Sequence, residues 1–268
     1  MTTHATGGPV DRAAERPGEQ DQAVERRRIG LEIVIVLGLS LGQSAVYATI
    51  NLIGKATAGA PIAQQKARLN AEQSPRPYLD LAYQLAGIAF ALVPVALVLW
   101  LLAADGGSAT RRIGLAPRHG WRDLGAGAAL AAVIGVPGLL WYLVGRWLGF
   151  TADVVPAPSS VHWWTVPVLV LAAVKNGLLE EVVVVGYLLT RLRRLGWPAW
   201  ALLAASSLLR GSYHLYQGYG PFLGNVVMGL VFAEWFRRRG RVLPLVIAHV
   251  LIDVVAFVGY YAAGPLLT

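Results

Sequence analysis

Two adjacent glutamates, Glu180 and Glu181, stand inside the apolar segment V174-K-N-G-L-L-E-E-V-V-V-V-G186. A carboxylate near a bilayer centre costs roughly 2.5–3.5 kcal/mol on insertion scales, so an adjacent pair points to function. Two further segments carry ionisable side chains at one-turn spacing, R210-G-S-Y-H214 and H249-V-L-I-D253. Arg210 and His214 share a helix face, and so do His249 and Asp253. Asp253 is therefore expected to accept a hydrogen bond from His249 or to line the same cavity. A glutamate can take a proton from water while imidazoles hold that water or an oxyanion, which is a hydrolytic combination. Glu180, His214 and His249 are equally the donor types of a divalent-metal site, zinc for example, with an open fourth position. Neighbours in a helix point about 100° apart. Glu180 and Glu181 should thus have different jobs, one facing the interior and the other bracing it.

The elements that must position these groups are membrane helices. Of the 268 residues 56% are hydrophobic and only 14% are charged, and mean hydropathy is +0.53, well above soluble composition. There is no cysteine, which excludes disulfides, thiolate metal ligands and a cysteine nucleophile. Apolar runs cover about 29–53, 80–104, 124–149, 163–190, 198–217, 221–236 and 242–264. Each is near the roughly 20 residues that a helix needs to cross the hydrocarbon. The expected fold is all-α: a polytopic membrane bundle of about seven transmembrane helices around a polar cavity. Residues 1–28 are polar and charge-mixed and read as a disordered cytoplasmic tail, and residues 29–268 read as one integral membrane domain.

Charge orients the chain. Arg12, Arg16 and Arg26–Arg28 precede the first run, Arg111, Arg112, Arg118 and Arg122 precede the third, and Arg191, Arg193 and Arg194 follow the fourth. Arg237–Arg239 and Arg241 follow the sixth, whereas Lys55, Lys66, Arg68 and Arg76 fall in a single loop on the other side. The positive-inside rule then places the N-terminus in the cytoplasm and the C-terminus outside the cell membrane. The net charge of +8 follows from these clusters between spans, so the expected surroundings are lipid and not nucleic acid. Tryptophans such as Trp163, Trp164, Trp197 and Trp200 fit interfacial belts. Glu32 is expected to pair with Arg28, and Glu234 with Arg237 and Arg238, as boundary ion pairs. Lys175 is expected either to neutralise a glutamate or to snorkel outward.

Other hydrolytic solutions are missing. There is no H-E-x-x-H helix and no G-x-S-G serine signature, and Asp253 is the only aspartate well inside a run, Asp80 lying at an edge. Buried Glu, His and Asp also suit a proton-coupled transporter, but inverted repeats and paired broken helices are lacking.

The segments E180-E-V-V-V-V-G, S206-S-L-L-R-G-S-Y-H and H249-V-L-I-D resemble the three motifs of the CPBP intramembrane protease family, also called the Abi or type II CAAX prenyl endopeptidase family. Its pattern is E-E-x-x-x-R, then F-x-x-x-H, then H-x-x-x-N/D. Order and spacing match over about 160–260, and R111-R-I-G-L-A-P-R-H-G-W-R-D-L-G resembles the loop before that core. The resemblance implies an intramembrane endopeptidase acting on a membrane-associated peptide or protein. Glu180 would be the general base, His214 would hold the water, and His249 with Asp253 would stabilise the oxyanion or orient the partner. Metal dependence stays open; metal-free water activation is favoured. Prenylated substrates are the eukaryotic business of the family; the Ala/Gly/Arg-rich composition is bacterial in style and favours peptide maturation or bacteriocin-type immunity. The alternative is a catalytically silent scaffold or immunity-like protein.

Two positions depart from the pattern: Val185 stands where the family has arginine, and Arg210 where it has phenylalanine. Arg210 is expected to supply from another helix the charge missing at 185, pairing with Glu181 or Glu180 within about 8 Å, beyond which specific pairing fades. Helix rise sets a further condition. Glu180 lies about 17 Å from Arg191, His214 about 24 Å from Pro198 and His249 about 12 Å from Arg241. The three meet only if helices tilt or the 198–217 helix begins outside the hydrocarbon.

Overall fold

The structure, a computed structural model, describes residues 17–158 and 162–267. Every apolar run is helical, and the only strands among the described residues are two of three residues each. The fold is an all-α membrane bundle.

Helices α1 (Pro17–Gly38) and α2 (Leu41–Thr57) meet at a 52° bend, where Ser40 Oγ donates to Val36 O at 2.6 Å. A Gly/Ser break with a back-bonding hydroxyl is a usual cause of such a kink. Helices α3 (Pro77–Ala91) and α4 (Val93–Ala104) form one apolar span. A short α5 (Ala109–Arg112) leads to α6 (Trp121–Trp147). Trp121 and Trp147 are exposed at the two ends of α6, about 39 Å apart by helix rise, close to the thickness of a bilayer with its headgroups. Helix α7 (Thr165–Glu180) passes through a π-helical turn (Glu181–Tyr187) into α8 (Leu188–Arg194). Helices α9 (Ala199–Ser212), α10 (Tyr219–Arg239) and α11 (Leu243–Leu267) complete the chain.

Among the described residues, Pro77–Ala104, Trp121–Trp147 and Leu243–Ala262 are long and apolar enough to cross a membrane, and the bent α1–α2 pair passes the same test when its two helices are taken together. The protein is therefore a multi-pass membrane protein. The other expected spans differ for physical reasons. The α7–α8 helix carries Lys175, Glu180 and Glu181, and α9, with 14 residues, reaches only about 21 Å. The π turn is the centre of the bundle: Val182, Val183, Val184, Val185 and Tyr187 have no exposed surface, which is the mark of a helix enclosed on all sides.

A small cap covers one end. Strand β1 (Lys66–Arg68) pairs in parallel with β2 (Asp153–Val155), Lys66 opposite Asp153. Ala152 N–H donates to Gln217 O at 2.9 Å, tying the cap to the turn between α9 and α10. Gly218 closes that turn with φ 106°, and a Cβ there would lie 2.6 Å from Phe150 O. Glycine alone meets both demands.

Two sequence expectations are corrected. Residues 17–28, expected to be disordered, are the first turns of α1; residues 1–16 of that tail lie outside the described residues. Glu32 pairs not with Arg28 but with Arg191 Nε at 2.7 Å, 159 positions away. Arg191 is almost fully buried, and its other donors go to Asp105 and to Leu101 O at 3.0 Å. Asp105 also receives Arg112 and Arg194, each at 2.9 Å. Glu234 does pair with Arg237, at 2.6 Å, and with Arg238.

Burial pushes the Asp105 carboxyl up, but the hydrogen bonds from Arg191 and Arg194 outweigh it and hold the group below its ordinary 3.8. A carboxylate depressed in the folded state contributes stability above its ordinary value and loses it as pH falls through the lowered one. Asp105→Asn should cost about 2 kcal/mol at pH 7, because it removes one of the two carboxylates that pair with the buried Arg191 and leaves Glu32 as the other. Thermal unfolding in detergent checks this. The wild type should lose stability below its ordinary 3.8, and the variant should lose less of it there.

Candidate active site

The site forms where α7, α9 and α11 meet. Helices α7 and α11 approach closely at Gly177, where a Cβ would lie 2.8 Å from Val250 Cγ2 and 3.2 Å from Val246 O. This contact sets two polar rungs between antiparallel helices. In one, His249 Nδ1 lies 2.7 Å from Glu181 Oε1. In the other, Asn176 Nδ2 donates to Asp253 Oδ2 at 2.7 Å. Helix α9 is drawn onto α10 at Gly211, where a Cβ would lie 2.9 Å from Phe222 O. The same packing sets the Arg210 guanidinium over the Phe232 ring, 5.5 Å from its centroid, a geometry favourable to a desolvated cation.

Arg210 has no exposed surface. Its Nη2 donates to Glu181 Oε1 at 2.6 Å and its Nη1 lies 3.5 Å from Glu180 Oε2. Both distances fall within the 8 Å limit set by its expected pairing. Val185, where the family pattern has arginine, packs instead in the apolar core with Val182, Val183 and Leu189. Arg210 thus brings a guanidinium from α9 to both carboxylates.

The two glutamates occupy different surroundings. Glu181 opens the π turn with no exposed surface; its Oε1 accepts from Arg210 and from His249, and its Oε2 is buried without a partner among the described residues. Glu180 closes α7 and is 8% exposed. Its Oε2 accepts the Tyr213 hydroxyl at 2.8 Å and faces Arg210 Nη1, and among the described residues its Oε1 makes no hydrogen bond. Single π turns recur at functional sites because they shift side chains out of α-helical phase. Here the turn starts at the second glutamate, and Ser206 Oγ, wholly buried, donates to Val184 O within it at 3.0 Å.

His214 lies beyond the end of α9, on the turn strapped by the cap. Its Nδ1 is 3.0 Å from Arg210 O, which fixes the ring and frees Nε2. His249 Nε2 lies 4.0 Å from Glu180 Oε2 and 3.8 Å from Asp253 Oδ1, too far for a hydrogen bond to either. The expected His249–Asp253 hydrogen bond is therefore absent: His249 is held by Glu181 and Asp253 by Asn176. Lys175 forms no ion pair among the described residues and acts on Glu180 and Asp253 only through longer-range attraction.

Sequence reading missed Tyr213 and Asn176. Tyr213 lies inside a quoted motif, but tyrosine in a membrane segment reads first as an interfacial anchor. Asn176 sits four residues before Glu180, the i,i+4 relation that singled out the other pairs. No group of three His, Cys, Asp or Glu side chains able to hold a metal ion is present among the described residues. Glu180 Oε2 and Glu181 Oε1 are taken by Arg210, Tyr213 and His249, while Glu180 Oε1 and the Nε2 atoms of His214 and His249 make no hydrogen bond among the described residues.

Residues 162–255, from the approach to α7 through most of α11, match the family described as type II CAAX prenyl endopeptidase, Rce1-like. This segment is a CAAX-protease-like core. It contains Glu180, Glu181, Arg210, His214, His249 and Asp253 together. No curated protein and no solved structure matches the chain. The match covers the part of the chain that carries the site and is a likeness to that family.

Removing one member of a buried ion pair strands the other, at roughly 3–5 kcal/mol. Arg210→Met should therefore lower stability by about that amount, and adding Glu181→Gln should recover part of the loss. Thermal unfolding of both single variants and the double variant measures the coupling; simple additivity would show that the pair is not coupled.

Proposed function

We propose that the chain hydrolyses a peptide bond of a membrane-associated peptide or protein, with Glu180 as the general base. The observation that carries this reading is the asymmetry of the glutamates. Each has one oxygen held and the other without a hydrogen bond among the described residues, but Glu181 is held by the Arg210 guanidinium and His249 with no exposed surface, whereas Glu180 is held by the neutral Tyr213 hydroxyl and is 8% exposed. A carboxylate fixed at one oxygen and open at the other is poised to take a proton.

In this reading Glu180 removes a proton from water, and the oxygen of that water bonds to the carbonyl carbon. The carbonyl electrons move onto oxygen, and that oxyanion accepts a hydrogen bond from the His249 imidazole, while His214, whose Nδ1–H is given to Arg210 O, holds the water through Nε2. The tetrahedral intermediate then collapses, the C–N bond breaks, and Glu180 returns its proton to the leaving nitrogen. Glu181 and Arg210 brace the base, and no step is routed through a metal. Asp253 orients and does not donate, since an ionised carboxylate has no proton to give. The arginine clusters support an N-terminus in the cytoplasm and a C-terminus outside, with the lipid bilayer as surroundings and no role for nucleic acid.

One observation favours the rival reading of a silent scaffold: Arg210 Nη1 stands 3.5 Å from the proposed base and offsets its charge. Glu180→Gln separates the two readings. With lipid-anchored fluorogenic peptides in nanodiscs, the variant should lose cleavage and keep the melting temperature of the wild type. A wild type that cleaves nothing, with a cellular phenotype unchanged by Glu180→Gln, would leave the scaffold. Tyr213→Phe removes only the hydroxyl and should lower kcat about 10–100-fold, the equivalent of one hydrogen bond to a charged group. Steady-state kinetics test it, and an unchanged kcat would remove Tyr213 from the machinery.

A further inference from the structure

Asn176, the partner of Asp253, has no assigned role in the hydrolysis. We infer that Asn176 is a positioning residue, which holds Asp253 so that its second oxygen faces His249. The inference rests on the reading of the site as a peptidase.

Four observations carry it. Asn176 Nδ2 donates to Asp253 Oδ2 at 2.7 Å, so the oxygen turned toward His249 is Oδ1, 3.8 Å from Nε2. Asn176 lies one helical turn before Glu180, so carboxamide and base lie on one face of α7. Gly177, next to Asn176, permits the close approach of α7 and α11, and that approach makes the rung possible. Finally, the Asp253 side chain is 16% exposed and that of Glu180 10%, whereas Glu181 shows none, so Asp253 and the base are the accessible carboxylates of the site.

The chemistry follows from who donates. A carboxamide can donate to a carboxylate, and a second carboxylate cannot. With Oδ2 occupied, Asp253 cannot swing away from His249 without breaking a charge-assisted hydrogen bond. His249 is then flanked by Glu181 at Nδ1 and by Asp253 on the Nε2 side, and its ring stays aimed at the place where the oxyanion forms. An asparagine that only joined two helices would stabilise the bundle and leave turnover alone.

Exchanging the pair separates these roles. Asn176→Leu should lower kcat about ten-fold, the effect of one hydrogen bond to a charged group, with KM within two-fold. Asn176→Asp alone sets two carboxylates against each other and should lower the melting temperature. The double exchange, Asn176→Asp with Asp253→Asn, rebuilds the hydrogen bond with its direction reversed. It should restore the melting temperature and kcat together, because asparagine also satisfies the H-x-x-x-N/D pattern at 253 and is again held by a hydrogen bond. An Asn176→Leu enzyme with full kcat would reduce the rung to a structural link and overturn the inference, as would a double exchange that recovers the melting temperature without kcat. If Asn176→Leu does not fold, Asn176→Ser takes its place. If the wild type cleaves and Glu180→Gln does not while both rung variants keep full kcat, the positioning role fails and the peptidase reading stands. A wild type without cleavage overturns both.

Discussion

Two carboxylates side by side in a desolvated helix repel each other and lose their water, and the rest of this structure answers that constraint. Each charge removed from water costs several kcal/mol unless good hydrogen bonds replace the solvent. The compensation comes from outside the helix that carries the pair. Arg210 arrives from α9 and His249 from α11, and both end on Glu181 Oε1. For a guanidinium to get there, α9 and α10 must close over Gly211 and Phe232; for the imidazole, α7 and α11 must close over Gly177. The small residues in this core are thus consequences of the glutamates. Without close backbone approach the cations could not reach the carboxylates at distances that repay their burial.

The same constraint produces the chemical asymmetry. A single guanidinium has a limited number of directions, and here its shorter contact goes to Glu181. The adjacent Glu180 is left with a neutral donor, the Tyr213 hydroxyl, and a more distant cation. A carboxylate neutralised fully by a tight ion pair is a poor base, and one left unsupported in a dry site is costly. Glu180 lies between these limits because its neighbour absorbs most of the positive charge. The π turn that begins at Glu181 lets both residues address one cavity without equivalence.

Much of this was legible in sequence where the signal is local or chemical. The seven apolar runs marked every long helix, and the spacing of Arg210 to His214 and of His249 to Asp253 marked the right faces. The missing charge at Val185 and the extra charge at Arg210 predicted a pairing found at 2.6 Å. What was illegible depended on packing between distant segments. Glu32 has Arg28 one turn away, yet the fully buried Arg191 had more to gain from it across the bundle. His249 was expected to serve Asp253 because they share a helix face, but a buried carboxylate on α7 offered it a shorter bond. Residues 17–28 are polar enough to read as disordered, and they are helical with Arg26 donating to Leu195 O and Glu25 paired with Arg194. Tyr213 and Asn176 carry no formal charge, so a search for ionisable groups passes over them even though each makes a direct hydrogen bond to a site carboxylate.

The placement of the guanidinium on α9, and not on the helix of the glutamates, sets how the site assembles. An arginine on the same helix as its glutamates can offset their charge as soon as that helix forms. An arginine on α9 can do so only after α9 has packed against the π turn and α10 has covered it with Phe232. Until then Glu180 and Glu181 are uncompensated. Closing the bundle and supplying the glutamates with their guanidinium are therefore one event here. Any change that loosens the α9–α10 contact should act on chemistry through the charge of the glutamates, even when it touches no residue of the site. The strap from the cap to the turn holding His214, built on Gly218 and the Ala152–Gln217 hydrogen bond, extends that dependence to the end of the bundle.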